Sequence, residues 1–237
     1  MLDNLWYRQF SASNPVGRGR RGFTRGRTVS DTVDANDVRR KWANRSGEFS
    51  PEYYAYYGPN ETSESIRRVF EARLDPSASI LELGCGPGRH LSHLREHGFE
   101  NLHGVDINPD CFEVMADAYP DLADCGTFRV AAIEEVAEEF SPGQFDAVYS
   151  IETLQHIHPD DAWVFEALAR SASDYFVTVE NEGDQSVPPE DRGVNDNEYD
   201  FPLYYRDWAA VFEPFGFEQV ACERGDRDTL RVFRRTD

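Results

Sequence analysis

The chain has 237 residues, of which 40% are apolar and 13% aromatic, so global disorder is excluded and one large domain or two small ones can form. Its formal net charge is −20, and Lys41 is the only lysine among its 24 basic residues. No apolar stretch is long enough to span a bilayer and no secretory leader is recognisable, which predicts a cytoplasmic protein and excludes an integral membrane one.

The charge is unevenly distributed along the chain. Residues 1–45 carry ten bases and four acids, a net charge of +6, whereas residues 46–237 carry a net charge of −26. A surface rich in carboxylates and nearly free of lysine is typical of proteins adapted to high salt, where charge repulsion is screened, and it predicts a halophilic source. Four cysteines, at positions 85, 111, 125 and 222, lack metal-ligand spacing, which predicts free thiols.

Residues 1–45 are predicted to form a flexible basic arm. The Arg/Gly-rich segment at residues 18–27 is low-complexity sequence that cannot form a hydrophobic core. An arm of this charge favours an anionic partner, such as a lipid headgroup, a lipid-phosphate-linked sugar or a uronic-acid glycan. The alternative is a disordered tail or a misassigned start codon.

Residues 46–75 are predicted to form an aromatic cap at the start of a domain that spans 46–237. The cap ends in an amphipathic helix over 62–74, where apolar residues recur at helical spacing. Two interpretations of its tyrosines stay open: a lid over a ligand, or packing of the N-terminal helix onto a sheet. The tyrosines concerned are Tyr53, Tyr54, Tyr56 and Tyr57.

Strands and helices alternate in the rest of the chain, which predicts an α/β fold with a doubly wound, mostly parallel, Rossmann-like sheet of seven strands closed by an antiparallel strand. An acidic loop insertion over 182–203 interrupts the alternation and is predicted to be a functional lid or a disordered segment. The predicted strands cover 80–83, 102–106, 128–131, 145–150, 175–179, 218–223 and 229–233. The predicted helices cover 89–97, 108–119, 160–172 and 204–212.

A strand that runs into a glycine-rich turn carries the main chemical signal, Glu82-Leu-Gly-Cys-Gly-Pro-Gly88. A second strand ends at Asp106, at the distance where doubly wound sheets place a carboxylate on ribose hydroxyls, which favours an adenosine-type ligand. Arg89 stands where a dinucleotide site continues its glycine pattern, and no phosphate-gripping Gly-Lys-Ser/Thr occurs. Glu82 suits a ligand with an amino group, which points to S-adenosylmethionine as the cofactor.

On these motifs the sequence resembles the class I S-adenosylmethionine-dependent methyltransferases, in their small-molecule branch. The resemblance implies that Glu82 lies near the methionine amino group and that Asp106 and Ile107 contact ribose and adenine. It also implies cofactor contacts from the glycine turn, at Gly84, Cys85, Gly86 and Gly88.

The fourth-strand segment, Phe145 to His158, resembles the family motif that reaches the sulfonium and the acceptor, which implies a place there for Ser150 and Glu152. Ala132 departs from the family, since many relatives have an aspartate there for the adenine amino group. The contact would then come from a neighbour or from the backbone at Ile133.

His156 is the best candidate for a general base, because an imidazole titrates near neutrality. Glu152 is the second predicted catalytic residue. The alternative is that His156 orders its loop. His90, His93 and His97 share one helix flank, and packing beside the sheet is favoured over a metal face, so no metal site is predicted.

The predicted function is methyl transfer to an oxygen or nitrogen of a non-nucleic-acid acceptor, possibly an anionic sugar or uronic acid of a surface glycan. The net charge of −26 on residues 46–237 would repel a phosphate backbone. The clamp motif that base methyltransferases carry after the fourth strand is also missing. Two alternatives stay open: a small-metabolite methyltransferase in which the arm is irrelevant, and a catalytically inactive protein that binds S-adenosylmethionine.

Overall fold

A seven-strand sheet forms the centre of the computed structural model, which describes residues 34–184, 186–188, 194–196 and 201–236. The described residues form nine strands, seven of them in this sheet in the order β3-β2-β1-β4-β5-β9-β8. Their bounds are β1 Ser79–Leu83, β2 Asn101–Asp106, β3 Thr127–Val130, β4 Phe145–Ile151, β5 Ala172–Glu180, β6 Val194–Asp196, β7 Pro202–Tyr204, β8 Phe217–Arg224 and β9 Thr229–Arg235. The predicted fold class is confirmed.

Strands β1 to β5 are mutually parallel, and β9 runs antiparallel to both β5 and β8. Strand β1 is buried along almost its whole length, as a central strand covered on both faces must be. Because β1 pairs with β2 on one side and β4 on the other, successive connections turn in opposite directions at this point. The carboxyl ends of β1 and β4 therefore open a crevice between them.

Two apolar layers cover the sheet. The helices are α1 Ala35–Ala43, α2 Pro51–Tyr57, α3 Glu61–Glu71, α4 Arg89–Glu96, α5 Asp110–Ala118, α6 Pro120–Cys125, α7 Ile133–Val136, α8 Val164–Ser171 and α9 Trp208–Phe212. Helices α3 to α6 supply one layer, exemplified by Phe70 and Leu91, and α7 to α9 supply the other, exemplified by Phe165 and Trp208. Among the helices of the described residues, none has the length and apolar character that a bilayer span requires.

Several element bounds differ from those predicted. The predicted helix 160–172 is a 3-10 turn followed by the shorter α8, and β5 already begins at Ala172. The acidic insertion contains the β6–β7 hairpin, which pairs antiparallel. Tyr204 ends β7, so α9 begins only at Trp208, where Asp207 accepts hydrogen bonds from the first helical N–H groups.

Helix α1 lies within the segment that was predicted to be a flexible arm. Asp34 caps its first turn by accepting a hydrogen bond from the backbone N–H of Asn36, and Val38 is buried. Residues 35–45 therefore belong to the folded part of the chain rather than to an arm. Residues 1–33, including the Arg/Gly-rich run, lie outside the described residues.

Gly104, in β2, allows this strand to pack closely against Cys85 of the glycine turn. A Cβ atom there would lie 2.7 Å from Cys85 Sγ and 3.0 Å from Phe128 Cδ1. Gly104→Ala should therefore lower the free energy of unfolding by about 1–3 kcal/mol through overpacking, measured by urea denaturation. Adding Cys85→Ala should restore part of the loss, because it removes the nearest clashing atom, and equal stability of the single and double variants would contradict this explanation.

Candidate functional site

A cavity with about 1090 Å³ of free space, part of it open to solvent, lies at the carboxyl ends of β1, β2, β3 and β4. The loops after these strands form its floor, and residues of α1 and α2 cover it. Ten of the twelve predicted site residues line this cavity: Glu82, Gly84, Cys85, Gly86, Asp106, Ile107, Ala132, Ile133, Glu152 and His156. The tertiary structure thus brings together residues separated by up to 74 positions in the sequence.

The glycine turn after β1 offers room for a ligand against the backbone. Gly86 has a φ of +54°, and a Cβ atom there would meet nothing within 4 Å, so the turn leaves an open cradle beside it. Gly84 serves packing instead, because its Cβ would lie 2.2 Å from Thr153 Oγ1. Gly88 does not line the cavity, since its Cα faces Leu122 and Met115.

Asp106 joins the end of β2 to the glycine turn. One carboxylate oxygen accepts a hydrogen bond of 2.8 Å from the N–H of Gly86, and the other accepts one of 2.8 Å from the N–H of Asn108. Burial raises the pKa of Asp106, while these backbone donors lower it. Each carboxylate oxygen has a further lone pair, so Asp106 can also accept from a diol such as ribose.

Glu82 places a buried, unsatisfied acceptor in the cavity wall. The residue is 1% exposed, and its Oε2 atom has no hydrogen-bond partner in the described part of the chain. Burial raises the pKa of this carboxyl well above its usual value, and the opposing effects of the nearby Tyr149 hydroxyl and of the charge of Arg89 are smaller. An ammonium group would supply both the missing donor and the missing charge. The open glycine cradle, Asp106 and Glu82 therefore fit the backbone contact, the ribose and the amino group of S-adenosylmethionine.

A third wall follows β3 and carries a residue that sequence reasoning missed. Ala131, Ala132 and Ile133 give it an apolar surface that suits an adenine ring. Glu134 adds a half-buried carboxylate whose pKa is raised by burial, and it lies 3.6 Å from the guanidinium of Arg39. An acid two residues after the alanine that departs from the family pattern was the available signal.

His156 contributes a neutral imidazole to the cavity, in contrast to the carboxyl groups of Glu82, Asp106 and Glu134. Its Nδ1 lies 3.0 Å from the carbonyl oxygen of Pro202, which can only accept, so Nδ1 carries the proton and Nε2 keeps a free lone pair. The ring packs 4.9 Å from that of Trp42 and 6.3 Å from that of Phe201. Burial lowers the pKa of His156 to about 4, so the imidazole stays neutral at pH 7.

Glu152 has a left-handed backbone, with φ of +51°, and forms an ion pair with Arg227 in the turn between β8 and β9. The ion pair engages the carboxylate of Glu152, so the pairing favours a positioning role. The neighbouring Tyr54 has a pKa raised to about 12, mainly by burial and then by the charge of Glu152, so its hydroxyl stays protonated. Tyr54 lines the cavity, whereas Tyr56 and Tyr57 are more than half exposed.

Ser150 is not part of the cavity wall, contrary to the prediction. Its side chain is fully buried, and its hydroxyl donates a 2.6 Å hydrogen bond to Glu180 at the end of β5. The next residue of β4, Ile151, lines the cavity, and because successive side chains of a strand point to opposite faces of the sheet, Ser150 points to the other face.

Glu180 organises the loop that carries His156. Besides Ser150, its carboxylate accepts hydrogen bonds from the backbone N–H groups of Thr153, Leu154 and Gln155, at 3.3, 3.1 and 3.2 Å. Arg206 holds the carbonyl groups of the same loop, donating to Leu154 at 3.3 Å and to Ile157 at 2.5 Å. The loop that presents His156 is thus fixed from its N–H side by an acid and from its carbonyl side by a base.

The histidines of α4 are engaged with protein groups. His90 is hydrogen-bonded to the Ser63 hydroxyl at 2.8 Å, and His93 lies 3.2 Å from Glu64. Both contacts tie α4 to α3. In the ranges that the structure describes, no group of three or more potential metal ligands comes together.

Three comparisons with known proteins agree with this geometry. Residues 80–174 match a family model described as a methyltransferase domain. The chain is 26% identical over 125 residues to the ubiquinone biosynthesis O-methyltransferase of Dechloromonas aromatica, a match that covers 49% of this chain and 53% of the relative. It is 28% identical over 115 residues to the trans-aconitate 2-methyltransferase of Enterobacter sp., covering 48% and 42%.

Among solved structures, the magnesium protoporphyrin IX methyltransferase of Synechocystis PCC 6803 with bound S-adenosylmethionine is similar at a TM-score of 0.61 and 16% identity, over 87% of this chain and 99% of that one. This likeness shows that the two chains share a fold. The sequence matches to the ubiquinone biosynthesis enzyme and to the trans-aconitate enzyme span about half of the length of each of these relatives. The predicted enzyme class and cofactor are supported by these matches, and the contacts of individual residues with the cofactor stay predictions.

Glu82→Gln should weaken binding of S-adenosylhomocysteine about tenfold or more, because the amide retains the shape but loses the charge that receives the amino group. Binding of 5′-methylthioadenosine, which lacks the amino-acid part, should change less than twofold. Isothermal titration calorimetry with both ligands checks this, and an equal loss for both would show that Glu82 supports the fold of the site instead.

Methyl transfer should decline as the pH falls through about 7, because burial raises the pKa of Glu180 to about 7 and its protonation places an O–H among four donors. Besides these donors, the charged group that acts on it is Arg206. Glu180→Gln should give a rate at least tenfold lower without this acid limb, while S-adenosylhomocysteine binding persists. The exposed Glu218→Gln on β8 is the control and should keep the wild-type pH profile; an unchanged limb in Glu180→Gln would assign it to another group.

Proposed function

We propose that the protein transfers the methyl group of S-adenosylmethionine to an oxygen of a small, anionic acceptor that is not a nucleic acid. The observation that carries the proposal is the buried, unpartnered Oε2 of Glu82 in the same cavity as the free Nε2 of His156. The first atom suits the cofactor's amino group, and the second suits the acceptor's proton.

The residues of the cavity divide between binding and proton transfer. S-adenosylmethionine, when bound, supplies an electrophilic methyl group on a positively charged sulfur. Glu82, the cradle at Gly86 and Asp106 would hold it, and alignment with the acceptor supplies much of the rate in such an in-line displacement. With the cofactor bound, His156 Nε2 would accept the proton that the acceptor hydroxyl releases as its oxygen bonds to the methyl carbon, while the bond between that carbon and the sulfur breaks and leaves the neutral thioether.

The low pKa of His156 favours oxygen over nitrogen as the methylated atom. A base with a pKa of about 4 does not deprotonate an ammonium group, whose pKa lies near 10 in a lysine-like amine. A hydroxyl oxygen, in contrast, becomes strongly acidic as it bonds to the methyl carbon, so a weak base that is neutral at pH 7 suffices. The match to an O-methyltransferase of ubiquinone biosynthesis supports this preference.

The acceptor is proposed to be anionic because Arg45 and Arg89, which form no ion pair with a described acid, line a cavity in a strongly acidic protein. The relative that acts on trans-aconitate, a tricarboxylate, has an acceptor of this kind. A sugar acid of a surface glycan is the specific hypothesis that the sequence raised, and the aromatic residues of the cavity also suit the apolar face of a sugar ring. The halophilic source, the cytoplasmic location and the partner of the basic arm stay predictions.

The decisive experiment incubates the protein with S-adenosylmethionine labelled in its methyl group and with fractionated cell extract. Label in a small-molecule fraction supports the proposal and isolates the acceptor. Binding of the cofactor without transfer to any fraction favours the alternative of a catalytically inactive binding protein. Unchanged transfer after deletion of residues 1–33 would favour the alternative in which the arm is irrelevant, and loss of binding in calorimetry would overturn the proposal itself.

His156→Asn should lower the rate of methyl transfer about 100-fold, the usual size of a general-base contribution, since it removes the free nitrogen. Its affinity for S-adenosylhomocysteine should stay within twofold of the wild type. His97→Asn, on the exposed end of α4, is the matched control and should retain the wild-type rate. Equal rates in the two variants would leave His156 a loop-ordering residue.

A further inference from the structure

Two guanidinium groups of the cavity wall have no carboxylate partner in the described part of the chain. Arg39 is paired, at 3.6 Å from both Glu134 and Asp161. Arg45 and Arg89 make no ion pair with any described acid, although residues 46–237 carry a net charge of −26. In a protein so rich in carboxylates, two unpaired guanidiniums in one cavity indicate that anions from outside the chain complete them.

Arg89 lies at the cofactor's end of the cavity. It directly follows the glycine turn, its Nε donates to His90 Nε2 at 3.1 Å, and its guanidinium carbon lies 4.7 Å from the centre of the Tyr54 ring. Its positive charge acts on the carboxyl of Glu82, whose pKa it lowers against the larger effect of burial. Arg89 is therefore placed beside the amino-acid part of the cofactor.

Arg45 lies on the other side, within the aromatic cluster that surrounds the proposed base. Its guanidinium carbon is 4.9 Å from the centre of the Phe201 ring and 5.5 Å from that of Phe49. Phe201 stacks on Trp42 at 4.3 Å, and Trp42 packs against His156 at 4.9 Å. A continuous series of ring contacts thus connects Arg45 with the free nitrogen of His156.

The position of Arg45 is fixed while its outer nitrogens remain available. Its Nε donates to the carbonyl of Glu48 at 2.6 Å, and its own carbonyl accepts from the Asn108 side chain at 3.3 Å. Neither Nη atom has a hydrogen-bond partner among the described residues. The indole Nε1 of Trp42, a second cavity residue, is buried with no acceptor in the part of the chain that the structure describes. Unsatisfied donors on a guanidinium held by aromatic faces are a geometry that favours bidentate carboxylate binding.

We propose that Arg45 binds a carboxylate of the methyl acceptor, while Trp42, stacked on the buried Phe201, packs against the acceptor's carbon skeleton. This inference rests on the proposed function and specifies its substrate class: a hydroxy acid, methylated on its hydroxyl. The carboxylate serves as the anchor and not as the methylated atom, because a bidentate guanidinium occupies both of its oxygens. The hydroxyl then lies toward His156 Nε2, which takes its proton.

Calorimetry on the full chain saturated with S-adenosylhomocysteine tests this with two acid and amide pairs. The aromatic pair is 4-hydroxybenzoate with 4-hydroxybenzamide, and the sugar pair is glucuronate with glucuronamide. In at least one pair the acid should bind at least tenfold more tightly than the amide. The pair that shows the difference identifies the skeleton, ring or sugar, that the aromatic wall accepts.

Arg45→Gln should abolish the preference for the acid and leave the affinity for S-adenosylhomocysteine within twofold. Arg45→Lys should retain part of the preference, since a lysine keeps the charge but loses the bidentate geometry. The matched control is Arg40→Gln, on the exposed face of α1 where Arg40 pairs with Asp37, and it should keep the full preference.

Three outcomes would overturn the inference. The first is equal or undetectable binding of acid and amide by the wild type at millimolar concentration, and the second is a preference that survives in Arg45→Gln. The third is a loss of S-adenosylhomocysteine affinity in Arg45→Gln, which would assign Arg45 to the cofactor's own carboxylate. Failure of the proposed function is distinguishable, because the wild type would then not bind S-adenosylhomocysteine at all.

Discussion

The buried carboxylate of Glu180 is the interaction on which the position of His156 in the cavity depends. Three consecutive backbone N–H groups after β4 converge on it, together with the Ser150 hydroxyl. Since a buried anion needs such donors and unpaired N–H groups need an acceptor, each stabilises the other. The fixed loop then presents His156 to the cavity, and Arg206 holds its carbonyl groups from the other side.

The charged side chains around the cavity differ from those of the surface in their burial and in their partners. The acids of the surface are exposed to solvent, whereas several acids around the cavity are buried and have particular partners. Asp106 accepts two N–H groups and retains capacity for a diol, and Glu82 retains an unsatisfied oxygen. Glu152 and Arg227 neutralise one another. The unpaired guanidiniums of Arg45 and Arg89 are consequently the positive features that a bound anion can complete.

The cofactor side was largely predictable because its signals are local. A buried strand, a glycine turn and the acid that ends the next strand follow one another within one β-α-β unit, and Glu82, Gly86 and Asp106 line one cavity in the structure. Ser150 was placed wrongly, since the sequence does not show on which side of β4 a buried serine finds its partner. That partner, Glu180, lies 30 residues away.

The sequence by itself determined the α/β class, the parallel sheet with its antiparallel closing strand and the cofactor motif. Hydrophobic periodicity and glycine turns are local patterns, which can be recognised within short segments of the sequence. Only the tertiary structure decided the acceptor side. Trp42 and Arg45, from a segment predicted to be an arm, meet Phe201 of the acidic insertion, and His156 meets Pro202. Such contacts between distant segments depend on packing and on the pairing of buried polar groups, for which no local pattern exists.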